Sequence, residues 1–391
     1  MSAAVATDLN SDIIRGNRRK SVPEETYNKA LARTFLQLEA KYGSVDHIKF
    51  DPDVHLAYYA GSLEDKARFH SIRRITMEEL KLTNAKQISP IGVTDAFPLF
   101  TEEAIDIMKL EVLRKLTFLE HARYSNSSTS GLDCMVRGYV KDNEKIINPF
   151  IYDAWTHPKT MELVSLMAGV DLEIVMDYEI AHVNLGVCDE GTAEEQRMAH
   201  EQTKREKVFA GEEDGSDIPA IVGWHHDSYP FVCVLMLSDT SEMIGGETYL
   251  RTGDNKITKV SGPTKGAAAM LQGRLISHLA PKPVGASERI TMVTSYRPKD
   301  PECHEGSVLS TVKPEIEYGS IYNSFYRQWV QYRADLVKKR LDKLIDNVKS
   351  NEVFDKEGVT KCLTDIESYL KNTYKEMEVT EDEWDRIRMK G

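Results

Sequence analysis

Several features that would quickly assign a chain are missing here. The five cysteines (Cys134, Cys188, Cys233, Cys303 and Cys362) are odd in number, scattered, and form no CxxC pair. That argues against a disulfide framework and for free thiols in a reducing compartment. No stretch approaches the ~20 apolar residues of a membrane span. The opening MSAAVATDLNSDIIRGNRRKS lacks the apolar run of a signal peptide and carries Asp8 and Asp12, which transit peptides avoid. The closing RIRMKG matches no retention or peroxisomal address. Basic residues are in deficit: 50 Lys and Arg face 62 Asp and Glu, a formal charge of −12. A nucleic-acid binder would show the opposite balance. There is no internal repeat and no low-complexity tract. The expectation is a cytoplasmic protein with no membrane or nucleic-acid partner.

What is present is an ordinary globular composition. Of 391 residues, 41% are hydrophobic and 29% charged. Such a chain buries a full core in one large domain with decorations, or in two. Residues 1–20 read as a flexible tail. Ser21-Val-Pro-Glu24 reads as a capping box opening a helix to about Lys41, and Thr76-Met-Glu-Glu79 as a second box. A third helix follows Thr101, with Ile105, Met108, Val112, Leu116 and Leu119 as its apolar stripe. A further helix covers about 158–168, so 21–172 is expected to be a mainly helical buttress. The texture then changes. Residues 173–184 are rich in β-branched side chains and read as one strand; 188–219 read as a charged insertion made of a short helix and an acidic loop. Short strands follow at about 221–227, 231–238, 246–251, 256–260, 267–272, 275–279 and 289–297, punctuated by glycine and proline turns. That spacing suggests a β-sandwich or jelly roll. From about Ser320 the chain turns helical again. Phe325, Trp329, Tyr332, Leu336, Leu341 and Ile345 stripe a helix of about 30 residues, and a last helix covers about 358–376. The expected class is α+β: a core over 173–300 between N-terminal helices and C-terminal helices over 301–391. The C-terminal stripe has three open readings: packing on the core, a lid over a substrate mouth, or a homodimer interface.

The chemistry sits around Trp224-His225-His226-Asp227. Alternation along a strand puts His225 and Asp227 on one face and His226 on the other. His278 ends the stretch Leu275-Ile-Ser-His278, where antiparallel pairing in a small barrel would bring it beside His225. Two histidines and a carboxylate fill one face of an octahedral iron and leave three positions open. His-x-Asp alone is common by chance, and the bland alternatives are a polar strand end and a satisfied core histidine. Arg289 and Thr291 follow on one face of a later strand. A buried arginine needs an anion. That anion is either an internal Asp or Glu, or a ligand carboxylate suited to the planar fork and a threonine hydroxyl.

Taken in order, GWHHDSYPFVCVLMLSD, GGETYLRTGD, GAAAMLQGRLISHLAPKP and ERITMVTSYRP resemble the Fe(II)/2-oxoglutarate-dependent dioxygenase superfamily, over about 175–298. The resemblance implies a double-stranded β-helix (jelly-roll) core with His225, Asp227 and His278 as Fe(II) ligands. It implies that Arg289 and Thr291 hold the far carboxylate of 2-oxoglutarate and that Asn184 touches the near one. Relatives with such an asparagine carry a tyrosine two residues on, and this chain has Gly186. His182, on the face of Asn184, is either a substrate contact or a core histidine. Gly245-Gly246-Glu247-Thr248 resembles a turn-strand of prolyl-hydroxylase-like members and reads as structural. The resemblance also implies dioxygen as cosubstrate, ascorbate as the assay reductant, and hydroxylation, desaturation or ring closure of a small molecule. With its long helical flanks, the whole chain resembles fungal secondary-metabolism members, among them an aziridine-forming, valine-oxidising group.

Three other readings stay open. Two histidines and an aspartate also suit the zinc of a hydrolase, although Arg289 then has no clear task. A jelly roll can bind without chemistry. A protein-residue hydroxylase would use the acidic run 212–217 to attract a basic peptide.

Overall fold

The computed structural model describes residues 21–83, 87–124, 134–136, 141–142, 145–187, 190–210, 220–245, 247–260, 264–281, 284–316 and 320–383. Its strands are β1 (Arg74–Thr76), β2 (Ile91–Thr94), β3 (Phe97–Pro98), β4 (Ala122–Tyr124), β5 (Cys134–Val136), β6 (Lys141–Asp142), β7 (Lys145–Ile146), β8 (Leu172–Ile174), β9 (His182–Val187), β10 (Ala220–His225), β11 (Phe231–Met236), β12 (Thr248–Arg251), β13 (Ile257–Val260), β14 (Ala267–Leu271), β15 (His278–Pro281) and β16 (Glu288–Pro298). A ten-stranded sheet runs β1-β2-β14-β11-β16-β9-β5-β4, with β3 beside β14 and β8 beside β16. A four-stranded sheet runs β10-β15-β12-β13, and β6 pairs with β7. The pairings among these strands are antiparallel.

The two faces of β11 and β16 show how the layers form. Cys233, Leu235, Ile290 and Met292 pack against Ile105, Met108, Trp155 and Leu163 from the N-terminal helices. Val232, Val234 and Val293 point the other way and meet Leu250, Val260 and Ile276 from the four-stranded side. A strand covered on both faces reads as a continuous apolar run, which is why β11 is Phe-Val-Cys-Val-Leu-Met. Each fully buried aliphatic side chain in these layers contributes about 1.5–3 kcal/mol.

In the N-terminal part the helices are interspersed with the short strands β1 to β5, which join the large sheet. Thr101 caps the helix Glu102–Leu113 by accepting the Ala104 N–H at 3.4 Å. Every side chain from Ala104 to Leu113 is buried, so this helix is central rather than amphipathic. The expected stripe breaks at Arg114. A separate helix Lys115–His121 follows and leaves Leu116 83% exposed. Ser21 caps nothing; Pro23 is the N-cap of Glu24–Ala30. Thr76 and Glu79 do exchange the two capping-box hydrogen bonds, but they close a turn rather than start a helix. The strand expected over 173–184 is two strands, β8 and β9, divided by the 3-10 turn Asp177–Glu179. Pro158–Ala168 is helical as expected. In the charged insertion Glu190–Ala210 forms a 21-residue helix, longer than expected. The tail 1–20, the acidic run 212–217 and Gly246 lie outside the described residues.

Glu111, on the central helix, accepts the backbone N–H groups of Phe150 and Ile151 at 3.1 and 3.0 Å, in the first turn of the helix Pro149–Thr156. Burial pushes its carboxyl up to about 7, while the two amides pull it down. A folded-state value above the unfolded one means that the folded protein holds the proton more tightly. This stabilisation is therefore full below about pH 4.5 and is lost as pH rises through about 7, on the order of 3 kcal/mol in total. Urea unfolding across that window should show a falling midpoint, with a shallower slope in Glu111→Gln; identical slopes would count against this assignment.

The C-terminal helix Tyr322–Ser350 packs Phe325, Trp329 and Tyr332 against Val175, Met176, Tyr178, Tyr229 and Leu309. Further along, the stripe is uncovered: Leu336 and Val337 pack against Ile366 and Tyr369 of the last helix, Lys356–Lys375, whereas Leu341 and Ile345 are exposed. A buried polar network locks these two helices to the segment after β16. Glu305 and Arg333 form an ion pair. Arg333 Nε donates to Thr373 Oγ1 at 2.9 Å, and the Tyr369 hydroxyl donates to Glu305 at 2.9 Å. The Arg333 guanidinium lies 3.5 Å from the Tyr369 ring centroid. Among the described residues, no helix is long and apolar enough to cross a membrane.

Candidate metal centre

His225 closes β10 and His278 opens β15, and the two are paired directly across the ladder. Their ring centroids are 4.2 Å apart. Asp227 reaches both. Its Oδ1 is 3.5 Å from His225 Nε2, and its Oδ2 is 3.4 Å from His278 Nε2. The ligand atoms of the three residues all lie within 4.8 Å of one another. His278 Nδ1 lies 2.9 Å from the Ile276 carbonyl. With a proton on Nδ1, that contact leaves Nε2 with its lone pair facing Asp227.

Two local details differ from the expectation. His278 begins its strand rather than ending one, and Leu275-Ile-Ser form the preceding turn. Asp227 lies past the end of β10, so the pleat alone does not aim it. Its N–H donates to the Gly273 carbonyl at 2.9 Å, which sets the direction in which the chain leaves the strand. His226 is exposed, on the far side as alternation implies.

Burial alone would raise the Asp227 carboxyl. The imidazoles of His278 and His225 beside it outweigh burial and hold the carboxyl well below the usual carboxylate range. Burial would lower His278, but Asp227 and the Ile276 carbonyl reverse that and raise it. A divalent cation supplies the same compensation more strongly. Asp227 Oδ2 is buried and makes no hydrogen bond. Ligands bonded at about 2.1 Å sit roughly 3 Å apart around one ion, close to the 3.4 and 3.5 Å separations here. The donor set of two imidazole nitrogens and a carboxylate fits Fe(II) or Zn(II).

Arg289 and Thr291 are 6% and 3% exposed. The period of two places them on the face of Val293, toward the four-stranded sheet. A cavity between the sheets is lined by Val234, Met236, Arg289 and Thr291 on one side and by Thr248 and Val260 on the other. Asn184 pairs with Thr291 and His182 with Val293, so these half-buried residues of β9 share that face. Gly186 stands directly opposite Arg289, so this strand puts no side chain beside the guanidinium where relatives were expected to place a tyrosine.

Several supports of the centre escape a sequence reading. Gly273 and Ile276 act through their carbonyls, which no residue type signals. Segment 306–311 braces the turn after Asp227: Val308 N–H donates to Ser228 O at 2.9 Å, Ser228 Oγ lies 2.6 Å from Thr311 Oγ1, and Arg274 Nε donates to Gly306 O at 3.1 Å. Thr248, read as purely structural, lines the inter-sheet cavity.

No family model matches this chain, and neither does any curated protein. Among solved structures it is similar to an oxidoreductase of the 2OG-Fe(II) oxygenase family from Burkholderia pseudomallei, at 15% identity over 56% of this chain and 90% of that one, with a TM-score of 0.33. It is similar to AviO1 from Streptomyces viridochromogenes Tue57, at 14% identity over 61% and 97%, with a TM-score of 0.36. It is also similar to the non-heme alpha ketoglutarate dependent epimerase SnoN from nogalamycin biosynthesis, at 16% identity over 57% and 82%, with a TM-score of 0.35.

Proposed function

We propose that this chain is a non-haem Fe(II)- and 2-oxoglutarate-dependent oxygenase, with the two facing sheets as a double-stranded β-helix core. The observation that supports this best is the presence of two different sites on those sheets. One is the His225-Asp227-His278 cluster; the other is the buried Arg289 and Thr291 lining the cavity between the sheets. A zinc hydrolase requires only the first.

When bound, Fe(II) would supply oxidation of a substrate by dioxygen, coupled to decarboxylation of 2-oxoglutarate to succinate and carbon dioxide. The chain's residues hold and orient. His225, Asp227 and His278 would hold the ion. The fork of Arg289 and the hydroxyl of Thr291 receive the far carboxylate, and Asn184, paired with Thr291, is placed for the near one. Val234, Met236 and Val260 keep water from the cavity walls. His182 is our candidate substrate contact. The substrate is a small molecule, with valine-like amino acids first among candidates, and the outcome is hydroxylation, desaturation or ring closure. We place the protein in the cytoplasm.

Aerobic incubation with Fe(II), ascorbate, 2-oxoglutarate and a panel of amino acids and small metabolites tests this. Succinate should appear with Fe(II) and not with Zn(II), and succinate-free turnover with Zn(II) would replace the reading by a hydrolase. Arg289→Ala should raise the 2-oxoglutarate requirement by about ten- to a hundredfold, the loss of a charged hydrogen-bond pair worth about 1.5–3 kcal/mol. The iron requirement should stay put. An unchanged 2-oxoglutarate requirement removes Arg289 from the site.

A further inference from the structure

We infer that Gly273 is a positioning residue for the Asp227 carboxylate, and that it is glycine because this carboxylate occupies the space a side chain would take. The functional consequence rests on the reading of His225, Asp227 and His278 as metal ligands; the steric relation does not.

Gly273 follows β14, and its carbonyl accepts the Asp227 N–H. A Cβ built on it would lie 1.8 Å from Asp227 Oδ2, 2.7 Å from Cγ and 3.0 Å from Cβ. Rotating the carboxyl group relieves only the first of these. The other two require a new χ1 for Asp227 or a separation of the two backbones. Backbone conformation does not explain the glycine: Gly245, Gly266 and Gly285 have positive φ, and Gly273 does not. Space is what remains.

Neither side of the contact is free to yield. Downstream of Asp227, Ser228 is tied to Val308 and Thr311. Around Gly273, the Gln272 N–H donates to Gly92 O at 2.8 Å, and its side-chain amide donates to Ser89 O at 2.9 Å. Arg274 is tied to Gly306. Any methyl at 273 is therefore relieved by moving the Asp227 side chain. The oxygen it displaces is Oδ2, the one beside His278. The cluster would keep all three ligands and lose their mutual placement.

The test is a cycle of Gly273→Ala, Asp227→Gly and the double variant, read in two ways on the full chain. The first reading is Co(II) titration with visible spectroscopy. Gly273→Ala should weaken Co(II) binding by about tenfold or more and change the spectrum. Co(II) bound with wild-type affinity and spectrum overturns the inference. The second reading is urea unfolding without metal. Gly273→Ala should lower the midpoint in the wild-type background and much less in the Asp227→Gly background, where the clash is gone. Equal shifts in both backgrounds overturn it. If Gly273→Ala fails to fold, the double variant decides: folding supports the pairing, and failure refutes it. A wild-type chain that binds no Co(II) overturns the metal-site reading instead, and the unfolding cycle still judges the contact.

Discussion

Asp227→Ala should reduce Fe(II)-dependent succinate release by roughly a thousandfold or more, a loss of about 4 kcal/mol in transition-state terms, with His225→Ala close behind. Asp227 is the only anionic donor of the cluster, and it touches both imidazoles. Without it, two imidazole nitrogens remain, too few to hold the ion. His226→Ala is the internal control. That side chain is exposed and outside the cluster, so most activity should survive. Succinate quantification beside iron content per chain separates lost metal from lost chemistry. Retained turnover in Asp227→Ala would refute the site, and an equal loss in His226→Ala would show that the wrong histidine had been chosen.

The second large effect is on stability. Arg333→Met should destabilise the protein by about 3–5 kcal/mol, because it leaves Glu305 buried without its partner. The double change Glu305→Gln, Arg333→Met should recover much of that loss, since a buried pair costs far less to remove whole than to halve. Chemical denaturation of the three variants measures this. A cost below about 1 kcal/mol for Arg333→Met would place the pair among those that contribute little.

Much of the centre was legible because strand geometry is periodic. Arg289 and Thr291, at a spacing of two, share a face by the pleat alone, the same spacing singles out His225 and Asp227 although Asp227 lies just past its strand, and β11 announces itself as a continuous apolar run. The parts that were not legible depend on contacts made across space. Strands β1 to β5 have two to four residues each and pair with distant segments, so no local pattern marks them. Leu341 and Ile345 have helical spacing, but periodicity gives an apolar face without saying whether anything covers it. Thr76 and Glu79 form the bonds of a helix start with no helix behind them, since the following segment turns instead toward Gly92, against which Leu80 and Met77 pack. Gly273 looked like turn punctuation, and its reason is a carboxylate on another segment.

Segment 306–311 sets an order of events. It is tied to Ser228 on one side; on the other, its own Leu309 is tied to Glu376 at the end of the last helix, and the adjacent Glu305 to Arg333 of the helix before it. A growing chain releases the three putting-together residues of the cluster, His225, Asp227 and His278, well before those helices leave the ribosome. Until they dock, the turn after Asp227 lacks its brace, so the proposed metal cluster would be completed last in the protein's own assembly.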